Sequence, residues 1–348
     1  MIIIIGAGLS GLLTAYRLNK AGIAFKVLEA RSRLGGRINT VFGSEDTPVE
    51  MGATWFSSPH TNLISLLNEL GLEYFEQHMD EAVFLQQNPQ FPVQKMQIPK
   101  QQPSYRISGG TSKLIETLYK NLEVEDVLFN QAVEHIHFQN HAVQIIADDT
   151  FIGTHVVLAI PPKLWAKIDF EPKLPSELLA IAAQTHTWME DSIKIALTYA
   201  RPFWRDENIP ATFFSNSGPV TEFYDHCNHE RSKYALCGFM SSNFKNLNSE
   251  ERRNLVMKQL KNVFGIQAEG FLDYQECIWS REEYTFSSSS YSIYPHQNNG
   301  NPIFSPSYFE DRMVISSSES SAEFPGYMDG AVYSGNLAAE KLISASQK

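Results

Sequence analysis

MIIIIGAGLSGLLTAYRLNKAGIAFKVLEARSRLGGR, residues 1–37, is the stretch whose reading decides the fold. Ile2-Ile3-Ile4-Ile5 is a short apolar run suited to a strand buried on both faces. Gly6-Ala7-Gly8-Leu9-Ser10-Gly11 follows at once with G-x-G-x-x-G spacing and runs into a helix-period segment, Leu12 to Ala21. Each glycine has a physical task. Gly6 allows the tight turn from strand to helix, Gly8 lets the backbone approach a pyrophosphate, and Gly11 lets the helix pack closely on the strand. The helix N-terminus then offers free N–H groups and a partial positive charge to phosphates. A second strand, Phe25 to Leu28, ends on Glu29, whose carboxylate can accept hydrogen bonds from the ribose hydroxyls of an adenosine. An ordinary βαβ unit with glycine turns shares the strand and helix but has no use for that carboxylate. The stretch reads as a dinucleotide site.

Composition sets outer bounds. The chain has 348 residues, room for two domains or one large interrupted one. With 43% hydrophobic and 19% charged residues it can bury a sizeable core. A formal net charge of −11 argues against nucleic-acid binding and is compatible with cationic small molecules. Cys227, Cys237 and Cys277 have no C-x-x-C spacing and leave one over, so they read as reduced thiols in a reducing, cytoplasmic compartment. The apolar start lacks a basic flank and meets glycine after four isoleucines, so it reads as a strand and not as a leader. No run approaches the ~18–20 apolar residues of a membrane span. His60, His78 and His186 show no ligand spacing and are expected to be ordinary surface or core histidines, with no metal.

Further along, Leu63 to Leu70 is an amphipathic helix closed by Gly71, while residues 76–104 are polar, glutamine-rich and punctuated by Pro89, Pro92, Pro99 and Pro103. Ile136–Phe138 and Ala142–Ile146 alternate as a hairpin does. His155 to Ile160 is a buried strand stopped by Pro161-Pro162. Ser176 to Gln184 is helical, Ser192 to Tyr199 is a strand that carries Lys194, and a helix starts near Glu250. A lone strand lysine is ordinarily an edge or surface residue.

Glu29-Ala30-Arg31-Ser32-Arg33-Leu34-Gly35-Gly36-Arg37 resembles the E-A-x-x-R-x-G-G-R element of the flavin-dependent amine oxidase family. In that family the loop wraps the diphosphate and ribityl of FAD, and two glycines beside Arg37 suit a guanidinium held at phosphate height. Glu50-Met51-Gly52-Ala53-Thr54-Trp55 is similar to the segment that passes the flavin ring, which implies cofactor contacts at Gly52, Ala53, Thr54 and Trp55. Phe129 to Ile136 resembles the strand whose valine backbone meets the adenine, here Val133. Lys194 followed by Pro202-Phe203-Trp204 is similar to the monoamine and polyamine oxidases, where the lysine holds a water against flavin N5. Trp279, which the resemblance adds to the cofactor contacts, opens an aromatic, hydroxyl-rich stretch in which Tyr291 is the best register for one wall of an aromatic cage; Ser290 stands where some members attach FAD through cysteine, so the resemblance implies non-covalent FAD. Ser316 to Ser321 and Pro325 to Ala339 resemble the family's closing element, implying that Glu319 binds FAD hydroxyls, that Tyr327 is the second cage wall, and that the helix starting at Met328 faces flavin N1. The family's glycine at the first turn position is a serine here, and the 76–104 insertion is much shorter than usual.

The expected fold is α/β: a doubly wound, Rossmann-like FAD-binding domain (1–75, 105–165 and 280–348) interrupted by a smaller α+β substrate domain (76–104 and 166–279). The resemblance implies an oxidase that moves a hydride from an amine carbon to flavin N5, with Lys194, Tyr291 and Tyr327 at the reacting centre and Gly6, Gly8, Ser10, Gly11, Glu29, Ala30, Arg31, Gly35, Gly36 and Arg37 holding the cofactor. An imine and hydrogen peroxide are the expected products, with oxygen as electron acceptor. Two other classes stay open: a renalase-like dihydronicotinamide oxidase or FAD-dependent desaturase, which the trimmed 76–104 segment favours, and a non-enzymatic FAD-binding protein. The particular amine and the oligomeric state are open as well.

Overall fold

The computed structural model describes residues 1–88, 91–206, 209–287 and 293–347. Ile2–Ile5 is the middle strand of a five-stranded parallel sheet ordered Val127–Leu128, Phe25–Leu28, Ile2–Ile5, His155–Leu158, Met313–Ile315. The isoleucine run has a physical reason. Ile2 and Ile4 enter a cluster with Leu12, Leu13 and Val332, while Ile3 and Ile5 enter a second cluster with Ile136, Val143 and Trp165 on the opposite face. Helices Leu9–Lys20 and Met328–Ser346 cover the first face. A four-stranded sheet, Thr150–Gly153, Ala142–Ile146, His135–Gln139 and Asp169–Glu171, covers the other, and its central hairpin is the one expected from the alternation. Helix Ser176–Ala183, which lies past the 165/166 boundary given above, also packs Leu178 and Ala182 into this second cluster.

The remaining strands build a seven-stranded sheet, Phe271–Ile278, Ile193–Tyr199, Tyr234–Met240, Val220–Asp225, Phe213–Ser215, Ala82–Gln86 and Gln94–Gln97, backed by helix Ser249–Phe264. That helix begins with a reciprocal capping box between Asn248 and Glu251. The 76–104 segment supplies the last two strands of this sheet, and Gln94–Gln97 is exposed along its whole length, which explains its polar composition. Ile193–Tyr199 is an interior strand of seven buried residues, so Lys194 is not a surface lysine. The hairpin Thr40–Gly43/Thr47–Glu50 joins the two larger bodies: Val49 and Met51 pack with Ala196, Ala235 and Cys237. No helix among the described residues is long and apolar enough to cross a membrane.

Candidate functional site: a dinucleotide cleft beside a carboxylate-bearing cavity

The first helix starts at Leu9, three residues earlier than its hydrophobic period suggests, because Gly8 accepts the Leu12 N–H at 2.9 Å. No side chain caps it, so its first-turn N–H groups remain available in a cleft lined by Gly6, Gly8, Leu9 and Ser10. Gly6 has φ +105°, and a Cβ on it would lie 2.8 Å from the Ala159 carbonyl oxygen. A Cβ on Gly11 would lie 2.0 Å from the Gly6 oxygen, whereas one on Gly8 would meet nothing within 4 Å. Gly11 therefore serves packing and Gly8 keeps the cleft floor bare.

Glu29 is 4% exposed, its Oε2 accepting from the Ala7 N–H at 2.8 Å and its Oε1 from the Arg31 N–H at 3.0 Å. These two bonds fix the carboxylate plane and leave lone pairs for hydroxyls in the cleft, where Ala30 and Val133 are also found. Val133 precedes the strand His135–Gln139 and is not within it. The Ser10 hydroxyl donates to the Ser316 carbonyl at 2.7 Å, tying the helix to the residue that follows strand Met313–Ile315.

Arg37 pairs with Glu319, with Nη1 2.6 Å from Oε1 and Nη2 donating to Oε2 at 3.0 Å and to Ser318 Oγ at 2.9 Å. Glu319 is fully buried and does not itself line the cleft; Arg37, Ser317 and Ser318 do. Arg31 donates to Thr285 Oγ1 at 2.7 Å and lies 5.6 Å over the Tyr284 ring. Gly35 and Gly36 adopt φ +94° and +57°, and a Cβ on Gly36 would lie 3.5 Å from the Gly8 Cα, so the two glycine turns cross at close range.

Other positions have different surroundings from those the resemblance implies. A Cβ on Gly52 would lie 2.1 Å from the Arg37 carbonyl oxygen, so this glycine is required by the neighbouring chain; only Ala53 of its segment lines the cleft. Trp55 donates to Gln77 Oε1 at 3.2 Å and meets Tyr224 edge-on, and Trp279, fully buried, donates to the Met51 carbonyl at 2.7 Å. Both indoles brace the wall from behind. Lys194 is 1% exposed; its Nζ donates to the Gly52 carbonyl at 2.6 Å and to Thr54 Oγ1, and sits 4.7 Å over the Trp55 ring. Burial pushes its ammonium below the ordinary lysine range. Lys194 does not line the cleft and instead holds the Gly52–Thr54 segment, whose Ala53 does. Tyr291 and Ser290 lie outside the described residues.

At the far end of the cleft, Gly326, Tyr327, Met328 and Ala331 present the uncapped start of Met328–Ser346. The Tyr327 ring is stacked with His296 at 5.9 Å and lies 5.9 Å from Trp188 and 5.5 Å from His60. Two of the histidine positions, His60 and His296, therefore border the site, and burial pushes the His60 imidazole below its ordinary value. Among the described residues no group of acidic, histidine or cysteine side chains could hold a metal ion.

Trp188 and Met189 line the cleft and also a second cavity, bounded further by Asp191, Thr221, Glu222, Phe239 and Met240. Tyr224 donates to Glu222 Oε2 at 2.6 Å, which orients that carboxylate. Sequence reading missed Trp188, Met189, Glu222 and Thr285. They sit on three separate segments, and nothing in their local patterns marks them.

The cleft fits FAD. Gly8 leaves open space where a diphosphate must approach, Glu29 has spare acceptors for ribose hydroxyls, and two uncapped helix starts converge on one elongated channel. Comparison with known proteins agrees. A family model described as flavin containing amine oxidoreductase matches residues 9–101 and 94–343. A putrescine oxidase from Kocuria rosea is 25% identical over 99% of this chain and 95% of its own length. Human amine oxidase [flavin-containing] B is 22% identical over 100% of this chain and 86% of its own. Among solved structures, a putrescine oxidase bound to putrescine superimposes with a TM-score of 0.84 over 99% of this chain and 98% of that one, at 23% identity. Cyclohexylamine oxidase from Brevibacterium oxydans gives 0.86 over 100% and 99%, at 18% identity.

Proposed function

The chain belongs to the flavin-containing amine oxidoreductase family, and from that premise we propose that it oxidises primary amines bearing a second cationic group. The observation that carries this reading is the meeting of the two cavities at Trp188 and Met189, with Glu222 and Asp191 on the far one. An amine whose reacting carbon lies at the cleft would extend its second ammonium toward those carboxylates. The name of the Kocuria rosea relative, whose substrate putrescine is a diamine, supports the same class.

Bound FAD would accept the hydride at N5 and pass the electrons to oxygen, so that an imine and hydrogen peroxide result. The chain's own residues bind and orient. Glu29, Gly8 and the first helix hold the adenosine and diphosphate, and Arg37, pinned by Glu319, reaches the channel's middle. Tyr327, with His296 and Trp188, offers ring faces to an entering ammonium. Lys194 supplies positive charge behind Ala53, where oxygen reduction gains from it. In this reading 1–75, 105–165 and 280–348 form the FAD-binding unit, and 76–104 with 166–279 the substrate unit.

Anaerobic titration followed in the visible range tests the proposal. Bleaching of the flavin bands by 1,4-diaminobutane at far lower concentration than by butylamine is the expected result. Bleaching by a dihydronicotinamide alone would move the protein to the renalase-like class, and no bleaching by any amine refutes amine oxidation.

A further inference from the structure

Lys163 and Glu190 form an ion pair of 2.7 Å between side chains only 4% and 6% exposed. Burying two charges costs about as much as their attraction returns, so such a pair is weakly explained by stability alone. Its location is more informative. Lys163 stands between Pro161 and Leu164, which line the dinucleotide cleft, and Glu190 stands between Met189 and Asp191, which line the carboxylate-bearing cavity. Met189 has φ +72°, a left-handed conformation that a long side chain adopts only under constraint. The surrounding turn is tight: Glu190 N–H donates to the Thr187 carbonyl at 3.2 Å, and Ser192 N–H to the Met189 carbonyl at 2.9 Å. Lys163 Nζ also lies 5.7 Å over the Phe286 ring, one residue beyond the Thr285 that holds Arg31. Three segments that shape the two cavities meet at this one lysine.

We propose that Lys163 and Glu190 are positioning residues, whose pairing fixes the 188–191 turn and thereby the wall that Trp188 and Met189 build between cleft and cavity. The pair touches neither cofactor nor amine; it acts through Met189 and Asp191. The inference rests on the assignment of the two cavities to FAD and amine.

The test uses FAD-loaded protein and compares wild type with Glu190→Gln and with the double variant Lys163→Met/Glu190→Leu, which replaces the pair by apolar chains and guards against simple unfolding. The expected result is full flavin content in both variants, kcat within threefold of wild type, and a KM for 1,4-diaminobutane raised at least tenfold. Amide hydrogen exchange at Glu190 and Ser192 should accelerate at least tenfold while the glycine turns of the FAD site stay protected. A double variant with wild-type KM and wild-type exchange would overturn the proposal, as would loss of flavin in step with activity. The exchange readout needs no turnover. A wild-type protein that oxidises no amine therefore refutes the amine reading, and the positioning role is still decided by exchange.

Discussion

Gly8 and Gly11 lie three residues apart in one turn, and the same substitution at each should have opposite effects. An alanine Cβ at position 11 would sit 2.0 Å from the Gly6 oxygen, against 3.4 Å for an ordinary contact, so the first helix must move by about 1.4 Å. That helix is wedged between the parallel sheet and Met328–Ser346, and overpacking of this kind costs ~1–3 kcal/mol. Gly11→Ala should lower the melting temperature of FAD-free protein by several degrees. At position 8 a Cβ meets no protein atom within 4 Å, and the backbone at φ −74° suits alanine. The weaker N-cap preference of alanine and its smaller unfolded-state entropy are of similar size and opposite sign, each ~0.5–1 kcal/mol. Gly8→Ala should therefore melt like wild type without FAD. Its methyl group, however, fills the space a phosphate oxygen needs. Loss of one hydrogen bond to a charged group, ~1.5–3 kcal/mol, weakens FAD binding roughly ten- to hundredfold. Thermal melting of the apoprotein and fluorescence titration with FAD separate the two effects. Wild-type FAD affinity in Gly8→Ala, or an unchanged melt in Gly11→Ala, refutes the reasoning.

Glu222→Gln should raise KM for 1,4-diaminobutane roughly tenfold while leaving butylamine kinetics alone, since only the diamine has a second ammonium; equal effects on both would remove Glu222 from substrate recognition. Lys194→Met should retain FAD yet slow reoxidation of the reduced protein at least tenfold, as read by mixing with oxygenated buffer in a stopped-flow instrument; an unchanged rate excludes the lysine from oxygen chemistry. The Glu69 carboxyl is held down at about 2, chiefly by the hydrogen bond from Arg17 and further by Lys20, against the opposing effect of burial. Because its folded value lies below the unfolded one, its contribution is present above about pH 4.5 and is lost as pH falls toward about 2. Glu69→Gln should be less stable than wild type at pH 6 by at most ~1 kcal/mol, given its partial exposure, and the gap should close by about pH 2 in urea unfolding.

The parts of the site legible in the sequence are those whose contacts are local. Gly11 and Glu29 act on backbone groups within the first 31 residues, so spacing alone exposes their roles. The helix at Met328 packs on Leu9–Lys20 from the other end of the sequence, and it is legible instead from its run of small residues, such as Gly335, where a Cβ would lie 2.8 Å from the Ser10 oxygen. Reading fails where a residue's surroundings come from another segment that its own pattern does not announce. Gly52 looks like clearance for a ring and is instead crossed by the Arg37 carbonyl; Trp279 looks like a cavity residue and instead anchors Met51. Trp188 and Met189 carry no motif, because their importance comes from a left-handed turn and from the Lys163–Glu190 pair. The polar 76–104 segment carries no clear strand period, yet it supplies an interior strand, Ala82–Gln86, and the exposed edge strand Gln94–Gln97.

The parallel sheet also sets a timetable for synthesis. Its middle strand, Ile2–Ile5, is made first, but its neighbour His155–Leu158 comes some 150 residues later and Met313–Ile315 roughly 300 residues later, ~15–60 s at ordinary ribosome speeds. Through that interval Ile2, Ile4 and the apolar face of Leu9–Lys20 lack the cover of Met328–Ser346, which is made more than 300 residues later, whereas Ile3 and Ile5 face the sheet completed by Asp169–Glu171. The Ile2 and Ile4 face therefore waits for its cover longer than the Ile3 and Ile5 face does. Slowing translation should increase the chain's aggregation in the cell, whereas slowing dilution from denaturant in the test tube, where all strands are present together, should not.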